Sequence, residues 1–109
     1  MTERSKGLEL ATRNFLQWHN IEYIRIEYRC FGCGQILNKD AADFPDYYCY
    51  EIDVFLECKT GKCKQTKGQR AFRDAVVARG ARHIEVRDTI DELLKWKATW
   101  GGRSPTAKG

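Results

Sequence analysis

Asp46-Tyr47-Tyr48-Cys49-Tyr50-Glu51-Ile52-Asp53-Val54-Phe55-Leu56-Glu57-Cys58-Lys59 decides how this chain is read. Aromatic and β-branched residues crowd both ends and polar residues sit near the middle, the pattern of a tight β-hairpin. Successive side chains of a strand point to opposite faces. The second strand therefore carries Phe55, Glu57 and Lys59 on one face and Val54, Leu56 and Cys58 on the other. Asp46 begins the partner strand, and antiparallel pairing returns it to the Glu57–Lys59 end. Two carboxylates and an ammonium then converge. Cys58 and Cys49 fall on the opposite, core-facing side and read as small buried hydrophobes.

Hard oxygen donors of this kind suit Mg²⁺ or Mn²⁺, ions that retain waters and accept substrate phosphate oxygens. The chemistry such a group serves is phosphodiester hydrolysis. The ion polarises phosphoryl oxygens and acidifies a bound water, while Lys59 orients the nucleophile and offsets developing negative charge. Taken singly, Asp46 is also an ordinary turn residue after a proline, and Glu57 with Lys59 an ordinary surface ion pair.

Working outward, Leu8, Ala11, Thr12, Phe15 and Leu16 recur at helical spacing and predict a helix over 5–19. Residues 21–29 alternate as a strand, with Ile24 and Ile26 on one face and Tyr23, Arg25 and Glu27 on the other. Cys30-Phe31-Gly32-Cys33-Gly34 reads as a tight turn leading into a polar loop. Beyond the hairpin, Thr66-x-x-Gln69 has the form of a capping box opening a helix that Gly80 closes. Residues 82–87 alternate as a strand. Thr89-x-x-Glu92 opens a last helix with Ile90, Leu93, Leu94 and Trp96 facing inward. Residues 101–109 carry few apolar groups and read as a flexible tail. The order implies an α/β fold, a central mixed β-sheet flanked by helices.

At 109 residues and 42% hydrophobic, the chain has room for one core, so residues 1–100 form a single domain. No stretch approaches the roughly 20 apolar residues of a membrane span, and the charged start lacks a signal peptide's apolar centre. No membrane is expected, and the location is intracellular, cytoplasm or nucleoid. The net charge of +4 is concentrated: Lys59, Lys62, Lys64, Lys67, Arg70, Arg73, Arg79 and Arg82 follow one another with Asp74 as the only acid among them. This fits a polyanionic partner, with Lys62, Lys64, Lys67, Arg70 and Arg73 as phosphate contacts. A solvated helix face is the plainer alternative.

Five cysteines are an odd number, and without a secretory signal they argue against a disulfide framework. Cys30-x-x-Cys33 has half a zinc-knuckle spacing and Cys63 offers a third thiolate for structural Zn²⁺, although a fourth ligand is missing; free thiols are the alternative. His19 and His83 read as structural. Gln69 is either a cap residue or a group aimed at the nucleophilic water or at the phosphates of the polyanionic partner.

Pro45-Asp46, followed by Glu57-Cys58-Lys59, resembles the PD-(D/E)xK nuclease signature. The succession Gln69-Arg70-Ala71-Phe72 through Gly80 into a strand is similar to the virus-type replication-repair nuclease branch. Asp43-Phe44 stands where that branch commonly has a glycine. The resemblance covers about residues 5–96 and implies a restriction-endonuclease-like fold. It also implies metal ligation by Asp46, Glu57, the backbone carbonyl of Cys58 and a glutamate of the first helix. Glu9 is the favoured candidate, and Glu3 the alternative if that helix starts earlier. Catalysis would fall to Asp46, Glu57, Lys59 and Gln69, leaving 5′-phosphate and 3′-hydroxyl ends. Relatives of this branch imply a homodimer acting on branched DNA such as Holliday junctions. The rival function is a non-catalytic, zinc-containing nucleic-acid-binding module on a nuclease-like fold.

Overall fold

The computed structural model describes residues 3–26 and 44–106, with side chains from Lys6 onward. Seven elements follow in order: α1 (Glu3–Trp18), β1 (Ile24–Arg25), β2 (Tyr47–Cys49), β3 (Val54–Lys59), α2 (Lys67–Ala78), β4 (Arg82–Arg87) and α3 (Asp91–Ala98). The strands form one mixed sheet in the order β1-β2-β3-β4. β2 pairs antiparallel with both β1 and β3, whereas β4 runs parallel to β3. A parallel pair needs a crossover, and α2 supplies it. Among the described residues no helix is long and apolar enough to cross a membrane.

The hairpin forms where its alternation places it. Its register pairs Tyr47 with Leu56 and Cys49 with Val54. Its turn uses Asp53 at φ 55°, a left-handed conformation that aspartate tolerates better than most residues. Tyr48 Oη holds Asp53 through a 2.8 Å hydrogen bond to Oδ1. The carbonyl of Asp53 accepts from the N–H of Arg82 at 3.1 Å, tying the turn to the start of β4.

Both sheet faces are covered. Tyr47, Cys49, Val54, Leu56 and Val86 pack with Leu8, Phe15 and Leu16 of α1 and Leu93 and Trp96 of α3. On the opposite face Phe55 packs with Val76 and Ala81 beneath α2, flanked by Tyr48 and Phe72. Leu16, Leu56 and Leu93 are fully buried, each contributing about 2 kcal/mol by removing its surface from water. Thr66 caps α2 through the N–H of Gln69, and the Gln69 side chain returns to the N–H of Thr66, completing the expected capping box. Gly80, at φ 106°, ends α2 by donating to Val77 while Ala81 donates to Val76, a glycine-dependent close.

The alternation expected of the 21–29 strand is kept at Tyr23, Ile24 and Arg25: Ile24, 51% exposed, faces outward, while Tyr23 packs on the core and Arg25 reaches toward a buried carboxylate, Glu9. Other expectations are corrected. Residues 27–29 of that expected strand, with Cys30, Cys33 and the polar loop through Asp43, lie outside the described residues. Ile90, not Thr89, is the N-cap of α3 and makes no side-chain cap bond. Thr89 Oγ1 still accepts from the N–H of Asp91 at 3.3 Å, while Glu92 pairs with Lys95. Leu94 is 47% exposed. The inward stripe is Ile90, Leu93, Trp96 and Trp100, and Leu94 falls on its flank. At the C-terminal end Ser104 Oγ donates to the carbonyl of His19 at 2.8 Å, and Thr106 is buried. Residues 107–109 lie outside the described residues.

Candidate functional site

The hairpin register ends at Tyr47 and Leu56, so Asp46 stands one step further, opposite Glu57. Asp46 Oδ2 accepts the backbone N–H of Cys58 at 2.7 Å, anchoring the aspartate between the side chains of Glu57 and Lys59. The Cys58 thiol points the other way, 3.6 Å from Thr12 Oγ1. Thr12 Oγ1 in turn donates to the Leu8 carbonyl. Helix α1 is thereby held against this part of β3.

Glu9, the expected helix-borne carboxylate, is on the buried side of α1 and 4% exposed. Tyr47 Oη donates to its Oε1 at 3.0 Å, and Arg25 Nε lies 3.9 Å from the same oxygen. Burial and the neighbouring Glu9 charge push the Tyr47 phenol well above its ordinary range, so it stays a protonated donor. Glu3, the alternative, begins α1, and its side chain lies outside the described residues.

Asp46 reports the proximity of all three carboxylates. Burial raises its pKa to about 6; the Cys58 N–H opposes the rise, the Glu9 and Glu57 charges add to it, and Lys59 opposes it. The Cys58 thiol is raised by burial and by the Asp46, Glu9 and Glu57 charges, and the Cys49 thiol is pushed up to about 12 by burial. Both are inert thiols facing the core, as expected.

Glu57 is 2% exposed, covered by α2 and the loop before it. Gln65 Nε2 donates to its Oε2 at 2.5 Å, and Gln65 Oε1 accepts from Arg73 Nη1 at 2.8 Å. Glu57 Oε1 has no hydrogen-bond partner. Lys59 Nζ donates to Gln69 Oε1 at 2.9 Å, and the same oxygen accepts the N–H of Thr66 at 2.9 Å. The two readings of Gln69 thus meet in one atom, which caps the helix and holds the lysine.

Around this centre Lys62, Lys64, Lys67 and Arg70 are exposed. Arg73 is partly exposed, donating to Gln65 and lying 3.1 Å from the exposed Asp74. Arg87 fixes the loop carrying Lys62 and Lys64 by donating to the carbonyls of Gly61 at 2.8 Å and Cys63 at 2.6 Å. Cys63 is exposed with a free thiol; Cys30 and Cys33 lie outside the described residues. Among the described residues no three histidine, cysteine, aspartate or glutamate side chains close into a ready cage for an ion.

Sequence reasoning missed Gln65, Tyr47 as the Glu9 donor, and the position of His83. Strand β4 pairs Phe55 with His83 and Glu57 with Glu85, which puts His83 on the Glu57 face. Period-two alternation in Arg82–Arg87 hints at that face, but the register cannot be read from the strand alone. No family model matches the chain, and neither the curated proteins nor the solved structures yield a match.

Proposed function

We propose that this protein hydrolyses DNA phosphodiester bonds with Mg²⁺ or Mn²⁺ at a PD-(D/E)xK-type site. The observation that carries the reading is the meeting of Asp46, Glu57 and Lys59 across the β2–β3 hairpin, with the Cys58 N–H holding Asp46 in place. The donors suit a hard cation. They are carboxylate oxygens, Glu57 Oε1 is buried without a partner, and Asp46 holds its proton up to about pH 6 because burial and two neighbouring carboxylates disfavour its charge. Glu9, Asp46, Glu57 and the backbone carbonyl of Cys58 would hold the ion. When bound, it supplies Lewis-acid polarisation of the phosphoryl group and a more acidic water.

The remaining work falls to the chain's own groups. Gln69 fixes the Lys59 ammonium beside the carboxylates, where it donates to a phosphoryl oxygen or to the attacking water and offsets charge gained in the transition state. Gln65, locked by Arg73, keeps the Glu57 carboxylate from rotating. Lys62, Lys64, Lys67 and Arg70, on the loop and first turn after Lys59, neutralise flanking phosphates. A domain this small offers little contact surface alone, which favours a homodimer whose two-fold axis matches a branched substrate such as a four-way junction.

The test incubates purified protein with labelled four-way-junction, flap, single-stranded and linear duplex DNA and with RNA, in Mg²⁺, Mn²⁺ or EDTA, beside Lys59→Ala. The proposal expects metal-dependent DNA cleavage, fastest on branched substrates and lost in the variant. Metal-independent DNA binding without cleavage overturns it in favour of the non-catalytic binding module, and cleavage confined to RNA overturns the substrate class.

A further inference from the structure

Two buried polar atoms beside the carboxylate cluster lack any partner, Glu57 Oε1 and His83 Nε2. Both side chains are 2% exposed, and His83 Nε2 lies 3.8 Å from Glu57 Oε2. That separation is too long for a hydrogen bond. The neighbouring polar groups are already engaged, since Gln65 Nε2 donates to Glu57 Oε2 while Gln65 Oε1 is taken by Arg73. An interior that leaves both atoms unsatisfied carries a penalty that a shared electrophile removes.

The chemistry of the ring narrows what that electrophile is. A neutral imidazole offers one nitrogen lone pair, and Nε2, buried without a partner beside the Glu57 carboxylate, is the ring atom placed to give it. Two ligands each about 2.1 Å from one ion lie at most about 4.2 Å apart, a span that includes the 3.8 Å from His83 Nε2 to Oε2 of the carboxylate whose other oxygen is unpartnered. The charged groups facing the ring are Glu57 from β3, Arg73 from α2 and Glu85 from its own strand. Arg73 is itself paired with Asp74.

On the metal-dependent reading above, we propose that His83 Nε2 is a nitrogen ligand to a divalent cation held by Glu57, which makes the site favour Mn²⁺ over Mg²⁺. Imidazole binds first-row transition ions well, whereas Mg²⁺ prefers oxygen donors throughout.

The chain has two histidines, His19 and His83, so a histidine signal can be assigned. His19 packs instead against Phe15 and Trp100. Pulsed electron paramagnetic resonance of the Mn²⁺-loaded protein reads directly bonded nitrogen as ¹⁴N modulation of the echo. The wild-type and His19→Gln proteins are expected to show imidazole nitrogen modulation and His83→Gln to lose it. In the same samples the Mn²⁺ dissociation constant is expected to rise at least about tenfold in His83→Gln, with a smaller change for Mg²⁺. Mn²⁺ bound by wild type without histidine nitrogen modulation overturns the ligand role and leaves the metal-dependent reading standing. Absence of Mn²⁺ binding to wild type overturns both. The wild-type spectrum decides the question even if His83→Gln fails to fold.

Discussion

The carboxylate of Asp46 accepts the backbone N–H of Cys58 at 2.7 Å, and through that bond the residue preceding β2 is fixed beside Glu57 and Lys59 of β3. The bond favours the ionised carboxylate, yet burial and the charges of Glu9 and Glu57 outweigh it. The site is therefore a place where the ion-free protein holds charge at a cost.

A pH dependence follows. Asp46 has a folded pKa of about 6 against an ordinary 3.8, so between these values the folded chain binds the extra proton and stability falls as pH rises. The full shift corresponds to about 3 kcal/mol. It is absent below about pH 4 and fully expressed above about pH 6. Urea unfolding of ion-free wild type and Asp46→Asn should give a stability difference, in favour of the variant, that grows across this window. A difference independent of pH contradicts the assignment.

Gln69 serves two neighbours through one oxygen, and substitutions separate the two services. Gln69→Glu retains an acceptor for the capping box and should leave helix stability within about 0.5 kcal/mol, whereas Gln69→Ala should cost about 1 kcal/mol. Cleavage should fall in both, because alanine frees Lys59 and glutamate captures it in an ion pair. Paired thermal melts and cleavage rates check this.

Tyr47 donates to a buried carboxylate at 3.0 Å. Tyr47→Phe keeps the packing and removes the donor from Glu9, and should cost about 1–3 kcal/mol in urea unfolding. An unchanged midpoint would show that Arg25 alone suffices.

Lys62, Lys64 and Lys67 are exposed and close in sequence to Lys59. Replacing any one of them by alanine should weaken binding to all DNA sequences alike and lower the slope of log affinity against log salt by about one. A sequence-dependent loss, or an unchanged slope, removes that lysine from the phosphate path.

What was legible in the sequence is what local rules govern. Alternation across Val54–Lys59 places Glu57 and Lys59 on one face, and the Thr66–Gln69 box and Gly80 bound α2 through bonds made within a few residues. What was hidden depends on partners far along the chain. Arg25 turns inward because Glu9 waits there, so the aliphatic Ile24 is left outside. His83 meets Glu57 because a crossover helix sets the parallel register of β4 on β3, and nothing in Arg82–Arg87 itself fixes that register. The inward stripe of the short α3 continues past its end to Trp100, and Leu94 falls on its flank.

Asp46→Asn offers the most direct test of the central claim, because asparagine keeps the acceptor for the Cys58 N–H and removes only the charge. Single-turnover cleavage of a four-way junction in Mn²⁺ at pH 7.5, measured beside stability on the same preparations, should show a variant more stable than wild type that has lost at least about a thousandfold in rate, roughly 4 kcal/mol of transition-state stabilisation. An Asp46→Asn protein that folds and cleaves like wild type would contradict the account.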